Sequence, residues 1–193
     1  MAKYELNYEV LDEDAKKKGG DAEEFFDWVE TIIFAFFTVI LVFTFLLRIA
    51  VVSGESMLPT LQDKDRLIVS YLFYTPKNGD IVIVDCEDSI LDKVIVKRVI
   101  ATAGQTVDID FSTGAVTVDG KVLDEPYINA PTLTDEGAFD FPITVPEGYY
   151  FVMGDNRNAS SDSRHPYVGF IKKSQIYGKA IIRYAPLENF KTL

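Results

Sequence analysis

The longest apolar run in the chain covers residues 31–47, which contain no charged residue and are rich in Ile, Phe, Val and Leu. A run of this length is near the lower limit for crossing a bilayer as a helix, and apolar residues on both sides lengthen it. The pattern predicts a retained transmembrane helix over residues 28–50. A polar tail, residues 1–27, precedes this helix, and residues 51–193 form the remaining domain.

Two other interpretations of the apolar run fit its surroundings less well. A core helix of a small domain is rarely apolar on every face. A cleaved signal peptide has a short basic leader and ends in small residues, whereas this run follows a long acidic leader and ends at Ala50-Val51-Val52-Ser53. Basic residues on the two sides of the run are nearly balanced, so charge does not decide the orientation of the helix.

After residue 61 the pattern changes to short segments rich in β-branched residues. The segments predicted as strands are residues 66–73, 80–86, 92–101, 106–110, 115–118, 121–123, 149–153 and 180–184. Asp119-Gly120 is a type I′ turn signal, and the polar residues 125–141 are expected to form a surface loop. No long amphipathic helix follows the apolar run. The predicted fold class is therefore mainly β, an antiparallel domain behind a single N-terminal transmembrane helix.

Composition excludes several function classes. The net charge of −11 argues against nucleic acid as a partner, because phosphate binding needs clustered Lys and Arg. Cys86 is the only cysteine, so no disulfide can form within the chain. With one histidine as well, a Cys/His zinc site is not expected.

Ser56 lies in an irregular segment directly after the apolar run. Gly54 permits a turn or a close backbone approach, and Pro59 prevents a helix from absorbing the segment. A serine displayed in this way can act as a nucleophile, although a plain linker leaving a membrane helix has the same pattern. The Gly-x-Ser-x-Gly motif is absent, and Ser-x-x-Lys fails at Ser56 because Pro59 occupies its last position.

The predicted strand at residues 92–101 carries two cations on apolar faces. Because strand side chains alternate, Lys97 shares one face with Ile95 and Val99, and Arg98 lies on the opposite, equally apolar face. At least one of the two cations is therefore partly buried. Burial lowers the pKa of a lysine, and a neutral lysine can serve as general base to a serine. The alternative is an edge lysine whose ammonium group reaches water.

Residues 154–164 form a dense polar stretch directly after an apolar strand. Asp162 and Arg164 can pair and fix this loop, and Ser160 or Ser161 can orient a nearby base. Calcium binding is a competing interpretation, but Arg157 stands where an EF-hand loop needs an oxygen ligand.

A Ser-His-Asp triad of Ser56, His165 and Asp162 is a second competing interpretation of the polar residues. His165 is followed by Pro166 and adjoins the polar loop, where a single histidine is more often a surface residue.

Together these stretches resemble the type I signal peptidase family, membrane-anchored serine peptidases that remove signal sequences from exported proteins. The matching motifs are residues 53–61, 97–107 and 154–164, and the segment 169–180 resembles the family's closing strand. The resemblance begins at about residue 31 and points to the Gram-positive branch. It implies an antiparallel β catalytic domain of the signal peptidase type outside the cytoplasm of a single-pass membrane protein with a cytoplasmic N-terminus.

By position, the resemblance makes Ser56 the nucleophile and Lys97 the general base. Supporting positions are Ser160, whose hydroxyl orients the lysine, the structural pair Asp162 and Arg164, and Gly154 and Asp155 at the start of the loop. Some members hold the oxyanion with a serine hydroxyl where this chain has Gly54, so backbone N–H groups, that of Ser56 first, are expected to take this part. The candidates for lining shallow pockets for small substrate residues are Met57, Leu61 and Ile95.

The implied reaction is peptide-bond hydrolysis through an acyl-enzyme, with no metal, nucleotide or other cofactor. The implied partners are the signal peptides of preproteins and the lipid bilayer, with the secretion translocon as a further candidate and no nucleic acid. Two other functions stay open at this point. One is a related Ser-Lys processing peptidase with a narrow envelope substrate, and the other is a membrane-tethered β-domain that binds peptides without activity.

Overall fold

The computed structural model describes residues 8–45, 47–71, 74–86 and 93–193, and the chain divides into two compact units, Met1–Phe45 and Leu46–Leu193. The first unit contains the helix α1, Tyr8–Phe45, so the predicted polar tail is helical from Tyr8 onward. Within α1, residues Glu24–Val42 are long and apolar enough to cross a membrane, with a mean hydropathy of 2.0.

The predicted end of the membrane helix at residue 50 is wrong. The helix ends at Phe45, and Leu47–Val51 form a strand that pairs antiparallel with Arg66–Ser70. Apolar and β-branched residues suit a helix in lipid and a strand equally well, so hydrophobicity alone cannot separate the two. The partner strand, which satisfies the backbone N–H and C=O groups of these residues, decides the conformation.

The second unit confirms the mainly β fold class. Its described residues form the strands β1 Leu47–Val51, β2 Arg66–Ser70, β3 Ile81–Asp85, β4 Val94–Thr102, β5 Thr106–Asp110, β6 Ala115–Val118, β7 Lys121–Val122, β8 Ile143–Thr144, β9 Tyr149–Met153, β10 Ile171–Lys172, β11 Ile176–Ala185 and β12 Lys191–Thr192. The larger sheet has the order β1-β2-β11-β3-β4-β9-β10, with β12 paired to β11, and the smaller sheet has the order β7-β6-β5-β8. All of these pairings are antiparallel.

Local sequence signals predicted several strands well. The strands β5, β6 and β9 have the predicted bounds. The type I′ turn is also confirmed, because Asp119 and Gly120 have φ angles of 53° and 74°. The prediction missed β1, β8, β10 and β12. The last three contain two residues each, and a pattern of alternation cannot be recognised in so few positions.

Buried side chains of the second unit fix the parts of the chain that carry the candidate site. Met57 and Leu61 are almost fully buried against the larger sheet, where they pack in one cluster with Val69 and Ile83. Burial of two large apolar side chains is worth about 1.5–3 kcal/mol for each. This packing holds the irregular segment that contains Ser56 against the sheet.

A second cluster joins the two sheets through Phe151. Its ring contacts the rings of Phe139, Phe141 and Phe170 at centroid distances of 6.3, 6.1 and 6.3 Å. Buried valines of the smaller sheet belong to the same cluster. The end of the predicted loop 125–141 is therefore part of the core rather than free at the surface.

We expect residues 46–193 to fold without α1, and a shorter protein that begins at residue 52 to be less stable. The shorter protein lacks β1, so the five residues of β2 lose their partners on that side. A backbone hydrogen bond contributes about 1 kcal/mol net, and the loss predicts a free energy of unfolding lower by about 1–4 kcal/mol. Urea unfolding followed by circular dichroism measures the difference, and equal stabilities would contradict the role given to β1.

Candidate active site

Ser56 is held in an irregular turn that begins where β1 ends. On one side of the turn, Val52 N–H donates to Asp65 O at 2.8 Å. Gly54 has a φ of +91°, and its N–H donates to Asp63 Oδ1 at 2.9 Å. The left-handed conformation is easily adopted only by glycine, which explains the residue at this position. The turn presents the Ser56 side chain to the cleft described below.

Lys97 lies on β4 at the point where one neighbouring strand ends. On one side it pairs with Val82 of β3, but β9 pairs with β4 only from Arg98 onward, opposite Met153. The Lys97 residue is 2 % exposed. Its Nζ lies 2.7 Å from Ser56 Oγ and is hydrogen bonded to it. The structure thus brings together the two residues that the sequence proposed as nucleophile and base.

Burial lowers the pKa of Lys97 from its ordinary value to about 8. Desolvation is the largest cause, because the apolar surroundings disfavour the ammonium form. Lys93 lowers the pKa further, whereas Asp162, Cys86 and Glu136 oppose the shift. The amine of Lys97 can therefore lose its proton near neutral pH, as a general base requires.

The polar loop 154–164 is built around an ion pair that the sequence analysis predicted. Arg164 Nη2 lies 2.8 Å from Asp162 Oδ2, and both side chains are fully buried. Asp162 Oδ2 also accepts the N–H of Gly154 at 2.9 Å, and Arg164 Nη2 donates to Arg157 O at 2.7 Å. The pair thus ties the beginning of the loop to its end.

The same loop is fastened to the segment that carries the serine. Asn156 N–H donates to Ser56 O at 3.0 Å, and Asn156 Nδ2 donates to Glu55 O at 3.1 Å. At Gly154 a Cβ atom would lie 2.5 Å from Ser56 O and would also overlap the Ser160 side chain. Glycine is therefore required here by a close approach of two backbones.

Asp155 fixes the loop to β4. It accepts from Arg98 Nε at 2.8 Å and from Arg98 Nη2 at 2.6 Å, and the Arg98 guanidinium carbon lies 4.0 Å from the centre of the Tyr127 ring. Because Arg98 follows Lys97 directly, this contact holds the strand that carries the proposed base. The sequence analysis expected at least one of Lys97 and Arg98 to be partly buried, but it did not find the partner of Arg98.

Ser160 is buried, but the hydrogen bond to Lys97 that the resemblance implied is not formed. Its Oγ has no hydrogen-bond partner among the described residues. Among the described residues, Lys97 Nζ is hydrogen bonded to Ser56 Oγ and not to Ser160. The hydroxyl of Ser160 is therefore unpaired in this structure.

A Ser-His-Asp triad is not formed. The Nδ1 atom of His165 accepts the N–H of Tyr167 at 3.2 Å, and its ring lies 4.8 Å from the ring of Tyr167. The carboxylate of Asp162 instead accepts hydrogen bonds from the Arg164 guanidinium group and from the N–H of Gly154. The serine has Lys97, not His165, as its hydrogen-bond partner.

A cleft of about 460 Å³ lies beside Ser56 and Lys97. Of the three candidates for lining a substrate pocket, Met57 and Ile95 border this cleft. Leu61 does not, because it is fully buried in the core beneath the serine segment. The spacing of Leu61 from Ser56 could not reveal which way its side chain points. In the described part of the chain, no group of three His, Cys, Asp or Glu residues could hold a metal ion.

The sequence analysis also missed an anchor between the loop 154–164 and residues 125–132. Arg157 is fully buried, and its Nη2 lies 2.5 Å from Glu125 Oε1. Arg157 Nη1 donates to Thr132 Oγ1 at 3.0 Å. The expectation of a surface loop over residues 125–141 was therefore wrong for residues 125–132. The side chains of Glu125 and Thr132 contact the buried guanidinium group of Arg157, which is distant in sequence.

The chain is similar to proteins of one known family. The family model for signal peptidase, peptidase S26, matches residues 25–185. "Probable signal peptidase I-2" of Synechocystis sp. is 37% identical over 188 residues, which cover 92% of this chain and 82% of that protein. Signal peptidase I of Bacillus licheniformis is 36% identical over 185 residues, which cover 91% and 97%. A crystal structure of a signal peptidase I from Enterococcus faecalis has a TM-score of 0.44 and 30% identity, and covers 55% of this chain and 97% of that chain.

The family model and the relatives from Synechocystis and Bacillus define the protein as a serine endopeptidase. The chain belongs to the signal peptidase family, peptidase S26, and the resemblance to type I signal peptidases is confirmed. Together with the apolar helix near the N-terminus, family membership indicates an enzyme anchored in a membrane.

We expect Gly154→Ala to lower kcat/KM by about 10-fold or more, because the new methyl group pushes Ser56 or Ser160 out of place. Overpacking of this kind costs about 1–3 kcal/mol. If this cost raises the activation barrier by displacing the site residues, it accounts for the expected loss of kcat/KM. Cleavage of a signal-peptide substrate in detergent is the assay. Ser174→Ala, at an exposed position outside the loop 154–164 and outside the cleft, is the control. Equal activities of the two variants would contradict the close approach.

Proposed function

We propose that Ser56 and Lys97 are the nucleophile and general base with which this chain cleaves signal peptides from preproteins. The observation that carries the proposal is the 2.7 Å contact between Lys97 Nζ and Ser56 Oγ, made by a lysine that is almost completely buried. A charged lysine at that position would be costly to bury, whereas a neutral amine can accept the serine proton.

The reaction proceeds in two halves. Neutral Lys97 takes the proton of Ser56 Oγ, which attacks the carbonyl carbon of the scissile bond. The tetrahedral intermediate collapses when the leaving amine takes the proton from Lys97, and an ester between Ser56 and the substrate remains. Lys97 then takes a proton from water, the resulting hydroxide attacks the ester, and the proton returns to Ser56 Oγ as the new carboxylic acid leaves.

The oxyanion of each intermediate is stabilised by the backbone N–H of Ser56. This N–H has no acceptor among the described residues, and Gly54 offers no side-chain hydroxyl for the same purpose. One such donor typically contributes on the order of 10²–10³ in rate. The contact of Asn156 with Ser56 O holds the peptide group on the other side of the serine and supports the orientation of this donor.

The remaining predicted site residues act through the position of these groups. Asp162 and Arg164 close the polar loop, Asp155 holds Arg98 next to the base, and Gly154 lets the loop approach the serine. Met57 and Ile95 present apolar surface to the small side chains of the substrate. Ser160 orients Lys97 only after a rotation of its side chain or through a water molecule.

The membrane helix sets where the reaction takes place. We propose a single-pass protein with a cytoplasmic N-terminus, a catalytic domain of residues 46–193 on the other side of the membrane, and the secretion translocon as a neighbour that supplies substrate. Ser56 is eleven residues beyond Phe45, the end of α1, so the chain confines it to within about 40 Å of that end. This reach suits a cleavage site held at the membrane surface.

We expect Lys97→Arg to lower kcat on the order of 10³-fold or more, because arginine keeps the charge but does not deprotonate at usable pH. Cleavage of a model preprotein by the purified full-length chain measures the effect. Lys93→Arg, at an exposed position directly before β4, is expected to be nearly silent.

Normal turnover by Lys97→Arg would refute the assignment of the base, and a large loss in Lys93→Arg would indicate the wrong lysine. If the wild-type chain binds the preprotein but does not cleave it, a peptide-binding domain without activity is the better description.

The anchor is expected to matter for preproteins in vesicles more than for free peptides. Removing α1 should leave the cleavage of a short soluble peptide by residues 46–193 nearly unchanged. It should lower the cleavage of a vesicle-bound preprotein by about 10²-fold, because co-localisation in the membrane raises the effective concentration of substrate. The quantity to compare is the ratio of the two activities, with and without α1. An unchanged ratio would show that the anchor does not position the site.

A further inference from the structure

The segment that carries Ser56 is closed into a loop by its own backbone. Val52 N–H donates to Asp65 O at 2.8 Å, and Lys64 N–H donates to Val52 O at 2.9 Å. We call residues 52–65 the serine loop. The two hydrogen bonds join the ends of this loop, so its middle, which contains Ser56, depends on contacts with other parts of the chain.

One of these contacts comes from Arg183 on β11, which lies 123 residues beyond Thr60 in the sequence. Arg183 is 9 % exposed. Its Nη1 atom donates to Thr60 O at 2.9 Å and to Asp65 Oδ2 at 3.1 Å. Its Nε atom donates to Asn189 O at 2.6 Å. The guanidinium group is therefore held from the side of β11 and reaches the serine loop at two points.

The register of β11 places Arg183 on the face of the sheet that the serine loop covers. Arg183 lies opposite Leu67 of β2, and opposite residues of antiparallel strands share a face. Leu67 is buried in the same cluster as Met57 and Leu61, the core side chains of the serine loop. The guanidinium group thus contacts the serine loop from the side of the core.

The two acceptors of Arg183 connect the middle of the serine loop to its base. Thr60 O lies four residues after Ser56. Asp65 is 1 % exposed, and its Oδ2 atom also accepts the N–H of Gln62 at 2.8 Å. A buried carboxylate needs such partners, and a planar guanidinium can serve several acceptors in fixed directions. Arg183 therefore fixes Thr60 O relative to the point where the loop closes.

We propose that Arg183 is a positioning residue for the nucleophile, because it holds the serine loop in the conformation that brings Ser56 to Lys97. The proposal rests on the proposed function, in which Lys97 takes the proton of Ser56. Ser56 Oγ must stay within hydrogen-bond reach of Lys97 Nζ, which is 2.7 Å away. Arg183 does not border the cleft beside these residues, so its loss changes the reaction and not the binding of substrate.

The test compares kcat and KM of Arg183→Met with those of the unchanged full-length chain, in detergent with a signal-peptide substrate. Methionine keeps an unbranched stem but has no donor for Thr60 O or Asp65. We expect kcat to fall by about 10–100-fold, because a misplacement of about 1 Å can cost on the order of 10² in rate. KM is expected to stay within about twofold, as for a residue that does not bind substrate.

Arg183→Lys is the conservative variant. It keeps a positive charge near Asp65 but lacks the planar fork that serves Thr60 O and Asp65 together. Its kcat is expected to lie between those of Arg183→Met and the unchanged chain.

Lys179→Met is the matched control, because it removes another ion pair of β11. Lys179 Nζ lies 2.6 Å from Asp80 Oδ1, and Asp80 directly precedes β3 rather than lying in the serine loop. Urea unfolding followed by circular dichroism measures the stability that each variant loses, and kcat is compared where all of them are folded. We expect Lys179→Met to keep its kcat even where its stability falls.

An unchanged kcat in folded Arg183→Met would overturn the proposal. A rise in KM in place of the fall in kcat, or an equal fall in kcat in Lys179→Met, would also overturn it. If Arg183→Met does not fold, an unchanged kcat in Arg183→Lys has the same meaning. Failure of the proposed function is recognised separately by an active Lys97→Arg variant, whatever the kcat of the Arg183 variants.

Discussion

The active site depends on the burial of one amine. Lys97 is placed on a strand whose same-face neighbours, Ile95 and Val99, are apolar and buried. This environment lowers the pKa of the amine to about 8 and directs its nitrogen to Ser56 Oγ. A serine hydroxyl alone is a weak nucleophile at neutral pH, so the protein needs a base that is neutral under the same conditions. In the proposed mechanism, desolvation of Lys97 provides this base.

The rest of the domain holds two distant parts of the chain in contact at this point. The serine is fixed by the core packing of Met57 and Leu61, and the base by its pairing with β3. The polar loop then joins them, because it contacts Ser56 through Asn156 and holds Arg98 through Asp155. Three buried arginines, Arg98, Arg157 and Arg164, each pair with a carboxylate in this region. Breaking such a buried pair leaves an uncompensated charge and is strongly destabilising, so the loop has little freedom to move away.

The sequence predicted those features that depend on local pattern or on a motif. Alternation along one strand indicated that at least one of Lys97 and Arg98 is partly buried, and the resemblance selected Lys97. The Asp162 and Arg164 pair follows from two charges placed two residues apart in a tight loop. Contacts between distant segments could not be predicted in this way. Arg157 reaches Glu125, which is remote in sequence and lies in a stretch that resembles a surface loop. The strand β1 was taken for helix because a membrane span and an apolar edge strand have the same composition.

The most direct test of this account is a titration of the Lys97 amine itself. Lysine labelled with ¹³C and ¹⁵N can be followed by NMR in the full-length chain in detergent, and the Lys97 signal is assigned by its loss in Lys97→Arg. Because Lys97 is buried, we expect an apparent pKa of about 8, well below the ordinary lysine value of 10.5. A Lys97 signal that titrates near 10.5, in a protein that still cleaves its substrate, would contradict the claim that burial makes this lysine the base.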